Sequence, residues 1–391
     1  MMRSKTAVVK RILTASRRPA TLGLTPAGAV SLSMGEPDAD TAVPIVDAAI
    51  EAMRTGRTHY APLSGEPLLR EELAAWFARR TGRPTAAEET VLTHGASAGL
   101  AALTLALVNA GDVVLTPEPT YSLYTDHLAM VGAENVWVPN RPDQRLDLDR
   151  IAELAPTARV LVLCNPSNPT GQVLTGAELR TIGDILEANP DLILVSDEAY
   201  SEIVFDGEAF VSAATLESVR ERVVIVGTFS KAFAMTGWRL GYVVAAPDVA
   251  SSIDLVHRTV NGALNTFVQD AAREALRTPE AVLRAAADSY EHRRDIVMKH
   301  LSAISGVSVA RPSGAFYAFP RIDAAHTSQE LVERFAAGGV IVRAGSEYGP
   351  SGEGHVRISF ATDEETLIDG LRRFARVVQE IHEEENKEHE R

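Results

Sequence analysis

Lys231 and Arg239 stand eight positions apart in GTFSKAFAMTGWRLGY (residues 227–242), a stretch with no other charged side chain. A lysine amine kept from water by apolar neighbours is a nucleophile that forms an imine with a carbonyl compound. An arginine offers two parallel hydrogen bonds to a phosphate. Gly237, between them, is expected to let the chain turn back without a side chain in the way. Asp197 closes the apolar run DLILVS at 191–196, where a carboxylate suits a buried cation such as a pyridinium nitrogen. Gly95, Ala96 and Ser97 open an apolar helical stretch, whose free N–H groups and dipole can hold a phosphate. A phosphate, an aldehyde and a protonated ring nitrogen together describe pyridoxal 5′-phosphate. The set contains no metal-ligand cluster.

These residues follow short β-branched runs: TVLTHG (90–95), DVVLT (112–116), NVWVP (135–139), RVLVLCN (159–165), DLILVS (191–196), VVIVG (223–227) and YVVAA (242–246). Continuous apolar runs alternating with helical stretches predict strands buried on both faces of a mostly parallel, seven-stranded sheet. SAGLAALTLALVNAG is expected to be a helix from Ser97 to a stop at Gly111, apolar all round and hence buried. After about residue 290 the pattern changes to short strand candidates, a helix at 328–337 and a final helix. The expected class is α/β: a large domain at 48–290, a smaller α+β domain at 291–391, and an arm with part of the small domain at 1–47. Ligands of open α/β sheets bind beyond the carboxyl ends of strands, so the loops carrying these residues should meet in one cleft.

The chain has 391 residues, a net charge of −14 and 46% hydrophobic residues. That acidic balance argues against a nucleic-acid partner, and no apolar run reaches the length of a membrane helix. The single cysteine, Cys164, fits a reducing, cytoplasmic setting and a buried thiol. The basic N-terminal stretch lacks the apolar core of a secretory signal; an ordered arm is expected, with a targeting segment as the alternative. The run EIHEEENKEHER is expected to be a solvated helix end.

NPSNPTG (165–171), DEAY (197–200) and SKAFAMTGWRLGY (230–242), with SLSMGEPD, THYAPLSGEPLLREELA, PEPTYSLY and VRISFA, resemble the class I/II aminotransferases of the fold type I pyridoxal-phosphate enzymes. The resemblance spans roughly residues 30 to 375 and implies a role for each matching position. Lys231 forms the aldimine and moves the α-proton. Asp197 pairs with the pyridinium nitrogen, Tyr200 and Asn168 bond the ring O3′, and Tyr121 stacks on the ring. Ala96, Ser97, Thr228, Ser230 and Arg239 surround the phosphate, joined by Tyr60 from a second subunit of a homodimer. Arg357 clamps the substrate α-carboxylate, helped by the Gly35 backbone and Asn168. Tyr124 is expected to be a core aromatic.

The implied reaction moves an amino group between an L-amino acid and a 2-oxo acid. Elimination, replacement, cyclisation or oxidation on the same scaffold is the alternative, because the cofactor residues are shared. A non-catalytic ligand sensor is disfavoured by the charge. Some aspartate-specific members of the resembled group carry a lysine, at the position that matches Ser97, that reads the distal carboxylate; its absence weakens without excluding a dicarboxylate, and a neutral, aromatic or unusual amino acid is at least as expected.

Overall fold

A computed structural model describes residues 5–17 and 27–389. The β-branched runs form β1 Thr90–Thr93, β2 Val113–Glu118, β3 Glu134–Pro139, β4 Val160–Cys164, β5 Ile193–Asp197, β6 Val223–Thr228 and β7 Gly241–Val244. They lie in one sheet in the order β1-β7-β6-β5-β4-β2-β3. β7 is antiparallel to both of its neighbours, and the remaining pairs are parallel. Six strands therefore end on one edge. A parallel return from β6 would need a long crossover. The reversed β7 instead lets residues 229–240 stay at that edge, which is where Lys231 and Arg239 are needed.

The sheet is covered on both faces, and the strands alternate between two cores as the period of two requires. Leu115, Leu161, Leu163, Leu194, Ile225 and Val244 enter one core. Val114, Val160, Val162, Val195, Val224 and Val243 enter the other.

The helix after β1 runs Gly95–Leu107, so it begins two residues before Ser97 and ends before Gly111. It stops because Asp112 accepts the Asn109 N–H at 2.7 Å, a side-chain turn that competes with the next helical bond. Nor is it buried all round: Leu105 is 43% exposed. One stripe of the helix faces away from the sheet and from the Pro247–Asn261 helix packed beside it.

A third core gathers around the segment beyond residue 290. β8 Tyr317–Ala318, β9 Arg343–Ala344 and β10 Val356–Ser359 form an antiparallel sheet in the order β8-β10-β9. Val30–Ser31 pairs in parallel with Val340–Ile341, bringing an N-terminal segment into this unit. The predicted helix appears as Ser328–Ala337, opened by a Thr327–Glu330 capping box. It packs on the final helix, Glu364–His389, where Phe335 and Phe374 stack with centroids 4.4 Å apart.

Of the predicted arm, residues 1–4 and 18–26 lie outside the described residues. The helix Ala7–Ala15 docks on Leu123–Val131, and Arg11 donates to the terminal carbonyls of Ala129 (2.8 Å) and Met130 (2.9 Å). A cation placed there also complements the negative end of the helix dipole.

Arg294 ties the segment that follows β5 to the small unit. Its side chain is fully buried and donates to both carboxylate oxygens of Asp206 (2.7 and 2.9 Å), to Asp295 (2.8 Å) and to the Pro312 carbonyl (3.1 Å). Asp206 follows Tyr200–Phe205, a segment leading directly from the site. Arg294→Ala should destabilise the fold by about 2–5 kcal/mol, because it leaves a cavity where a large side chain was fully buried and removes the shared partner of Asp206 and Asp295. A urea denaturation midpoint checks this.

Candidate active site

The loops beyond β1, β2, β4, β5 and β6 converge with Ser33–Glu36 and the small sheet around a cavity of about 360 Å³. Gly35, Ala96, Ser97, Tyr121, Asn168, Asp197, Tyr200, Thr228, Ser230, Lys231, Arg239 and Arg357 all line it. Among the predicted site residues, only Tyr60 lies elsewhere. It is 98% exposed, so within this chain nothing holds it.

Asp197 is the last residue of β5, and its carboxyl is buried. It accepts from the Tyr124 hydroxyl (2.8 Å) and from the Ala199 N–H (3.2 Å). Burial pushes it up to about 6, and the Tyr124 bond pulls the other way. Tyr124, expected only to fill the core, therefore holds the site's carboxylate. Its spacing of three from Tyr121 puts both on one side of a helical turn, and the rings meet edge to face at 5.6 Å.

Lys231 Nζ donates to the Gly35 carbonyl at 2.6 Å. The Gly35 carbonyl thus serves the lysine, a contact the sequence did not suggest. Burial lowers Lys231 to about 8, and the nearby positive charges of Arg357 and Arg239 act in the same direction. The amine is still mostly protonated near neutral pH, but its neutral, nucleophilic fraction is far larger than that of an exposed lysine titrating at about 10.4.

The return from Lys231 to Arg239 does not use Gly237, which has an ordinary φ and open space around its Cβ position. The chain bends through left-handed Ala234 (φ 51°) and Arg239 (φ 56°) instead. Trp238 fixes the bend by donating from Nε1 to Thr41 Oγ1 at 3.0 Å. Glycine is required where the Gly95–Leu107 helix begins. A Cβ on Gly95 (φ 74°) would lie 2.5 Å from Arg239 Nη2, and one on Gly241 would lie 2.6 Å from the Ala96 nitrogen. The Arg239 guanidinium therefore sits over the first residue of the Gly95–Leu107 helix. Ser230, whose N–H donates to Thr228 Oγ1 at 3.1 Å, stands beside it.

Arg357, on β10, is buried without an ion pair among the described residues. Nη1 donates to Asn168 Oδ1 (3.2 Å) and Nη2 to the Ser33 carbonyl (2.5 Å), while the buried Nε has no partner. Its guanidinium carbon lies 4.4 Å from the Tyr317 ring centroid and 5.2 Å from that of Tyr348. The Tyr317 hydroxyl bonds that of Tyr200 at 2.8 Å, and it leaves no room for a Cβ on Gly35, which would fall 2.0 Å away. Sequence reasoning passed over Tyr317 and Tyr348, because a tyrosine in a short strand or the turn beside one looks like core.

A glycine-opened helix N-terminus with an arginine over it, a buried carboxylate and a buried arginine without salt-bridge partners among the described residues, and a lysine of lowered basicity are groups that fit pyridoxal 5′-phosphate and an amino acid. Comparison with known proteins agrees. Residues 27–374 match the aminotransferase class I and II family, and the chain belongs to it. It is a pyridoxal-phosphate-dependent aminotransferase. Among its relatives, arginine–pyruvate transaminase of Pseudomonas aeruginosa is 36% identical over 358 residues, covering 90% of each chain. Aspartate aminotransferase of Pyrococcus horikoshii is 35% identical over 363 residues, again covering 90% of each. The solved aromatic aminotransferase from Pyrococcus horikoshii superposes with a TM-score of 0.88 at 35% identity, covering 96% of this chain and 99% of that one.

Two outcomes follow from the charge environment. In the protein freed of cofactor, acetylation of Lys231 should rise with pH through about 8 and then level off, whereas exposed lysines keep rising to about 10.4. Peptide mass spectrometry across pH 6–11 reads this directly. Tyr124→Phe removes a bond that favours the Asp197 carboxylate, so Asp197 should titrate higher still. The acid limb of the activity profile should move to higher pH, and cofactor affinity should fall.

Proposed function

We propose that the protein acts as a homodimer that moves an amino group between an L-amino acid and a 2-oxo acid, each active site completed by its partner. The observation that carries this reading is Arg357, a buried cation with an unpartnered Nε, lining one cavity with Lys231 and Asp197. When bound, pyridoxal 5′-phosphate supplies an aldehyde for the lysine and an electron-withdrawing ring. Ala96, Ser97, Thr228, Ser230 and Arg239 hold the phosphate; Asp197 keeps the ring nitrogen protonated; Tyr200 and Asn168 bond the ring oxygen; Tyr121 stacks on its face. Arg357, with Asn168 and the Gly35 backbone, orients the α-carboxylate so that the α-hydrogen faces Lys231. The Lys231 amine, in its neutral form, would take that proton and hold it at Nζ for return.

The shared site has its support in the surface. Arg239 is exposed in the single chain, and a wider cavity of about 760 Å³ opens beside it, lined by Asp38, Thr41, Met53 and Trp238. Leu105, and on the adjoining helix Leu255 and Val260, are also exposed. A partner covering this region would bury them and bring its Tyr60 to the phosphate end. We read residues 48–290 as the cofactor-binding domain and 291–391, with part of 1–47, as the small domain. The Val30–Val340 strand pairing supports the last assignment.

Borohydride reduction of the cofactor-loaded protein should fix the cofactor label on Lys231, and Lys231→Ala should lower turnover by about 10²–10⁴-fold or more without changing circular dichroism. Dimers mixed from Lys231→Ala and Tyr60→Ala chains should contain one site of normal cofactor affinity. If the Tyr60→Ala defect persists in that site, Tyr60 does not cross between subunits.

A further inference from the structure

The cavity holds an arginine that the roles above leave unused. Arg343 on β9 is the Cα partner of Arg357 on β10 in an antiparallel pair. Side chains directly opposite each other share a face, with Cβ atoms roughly 4.5–5.5 Å apart, and both residues line the cavity. Arg343 is held by its neighbours in the chain: Nη2 binds the Glu347 carboxylate and the Tyr348 hydroxyl lies within reach of the guanidinium, while Nε is buried with no partner among the described residues. The Arg343 side chain is 13% exposed. A guanidinium has five donors and no acceptor, and a shielded donor left without an acceptor is costly.

The cavity's other charges are already engaged. Asp197 accepts from Tyr124 and Ala199, and Glu36 accepts from the Thr236 hydroxyl. Lys231 bonds the Gly35 carbonyl, and Arg239 overlies the helix N-terminus. Glu347 anchors Arg343 and is itself absent from the cavity wall. The Arg343 fork is thus fixed in place beside Arg357, with its buried Nε lacking an acceptor among the described residues.

We propose that Arg343 is a specificity-determining residue that pairs with a second carboxylate on the substrate, so that the site prefers amino acids and 2-oxo acids with acidic side chains. The inference rests on the reading of Arg357 as the α-carboxylate clamp. Two carboxylates on one short substrate then meet two arginines on neighbouring strands. The absence of a lysine at Ser97 does not weigh against an acidic substrate, because the second cation comes from β9 and not from the phosphate-side helix.

The test uses two unreactive ligands of equal chain length, succinate and butanoate, titrated calorimetrically into the cofactor-loaded enzyme. A charge-assisted, forked contact predicts that succinate binds about 10- to 100-fold more tightly than butanoate. Arg343→Gln should bring that ratio close to one, and Arg343→Lys, which keeps the charge but loses the fork, should fall between. The kcat/KM ratio of aspartate and glutamate to alanine should drop by a similar factor in Arg343→Gln. A ratio near one in the unmodified enzyme, or an unchanged ratio in Arg343→Gln, overturns the proposal; the first of these decides even if the variant does not fold. Arg357→Gln reports separately on the clamp: if it weakens neither ligand, that reading falls, whatever Arg343 does.

Discussion

Charge held out of water without an ion pair is the constraint on which the site depends. Asp197 and Arg357 are buried and Lys231 is largely desolvated, yet among the described residues none has a salt-bridge partner. Isolated buried charges are costly and persist only when the surroundings hold them. Here the holding groups are neutral: the Tyr124 hydroxyl, the Asn168 amide, and the Gly35 and Ser33 carbonyls. Neutral partners fix geometry without cancelling charge. Each ion therefore keeps its field for whatever enters the cavity, and a bound cofactor and substrate supply the missing counter-charges.

The rest of the structure serves that placement. The sheet buries Val, Leu and Ile on both faces and so makes a rigid floor. The reversal of β7 keeps residues 229–240 on the edge where the other strands deliver their loops. The small sheet closes the opposite wall by placing Arg343 and Arg357 across one strand pair. Arg294 and the Asp206 carboxylate fix the segment that follows Tyr200. A change at any of these supports moves a charged group relative to its neutral holders, and small displacements in such sites are expensive.

Much of this was legible in the sequence because the relevant signals are local. Each β-branched run became a strand to within about two residues, and the residues placed at their ends met in one cavity. The failures share a cause. Gly237 looked like the hinge because glycine is permissive, but the bend strain falls on Ala234 and Arg239, where contacts such as Trp238 to Thr41 impose it. Tyr124 and Tyr317 gave no usable signal, since their partners Asp197 and Tyr200 lie 73 and 117 positions away; Tyr348 and Arg343 gave none because short strands and turns do not show which side chains face a cavity. The end of the Gly95–Leu107 helix was missed because Gly111 was given more weight than the Asp112 side chain. Its exposed Leu105 was missed because composition cannot show which stripe lacks a neighbour.

The account's central claim is that these pre-set charges drive the exchange of an amino group between two partners, one at a time. Its most direct test is a half-reaction: the cofactor-loaded enzyme mixed with an amino donor and no 2-oxo acid acceptor, with the 2-oxo acid product counted against active sites. The account predicts one equivalent of product per site, then arrest, with turnover resuming when a 2-oxo acid is added. Continued product formation without an acceptor would contradict it.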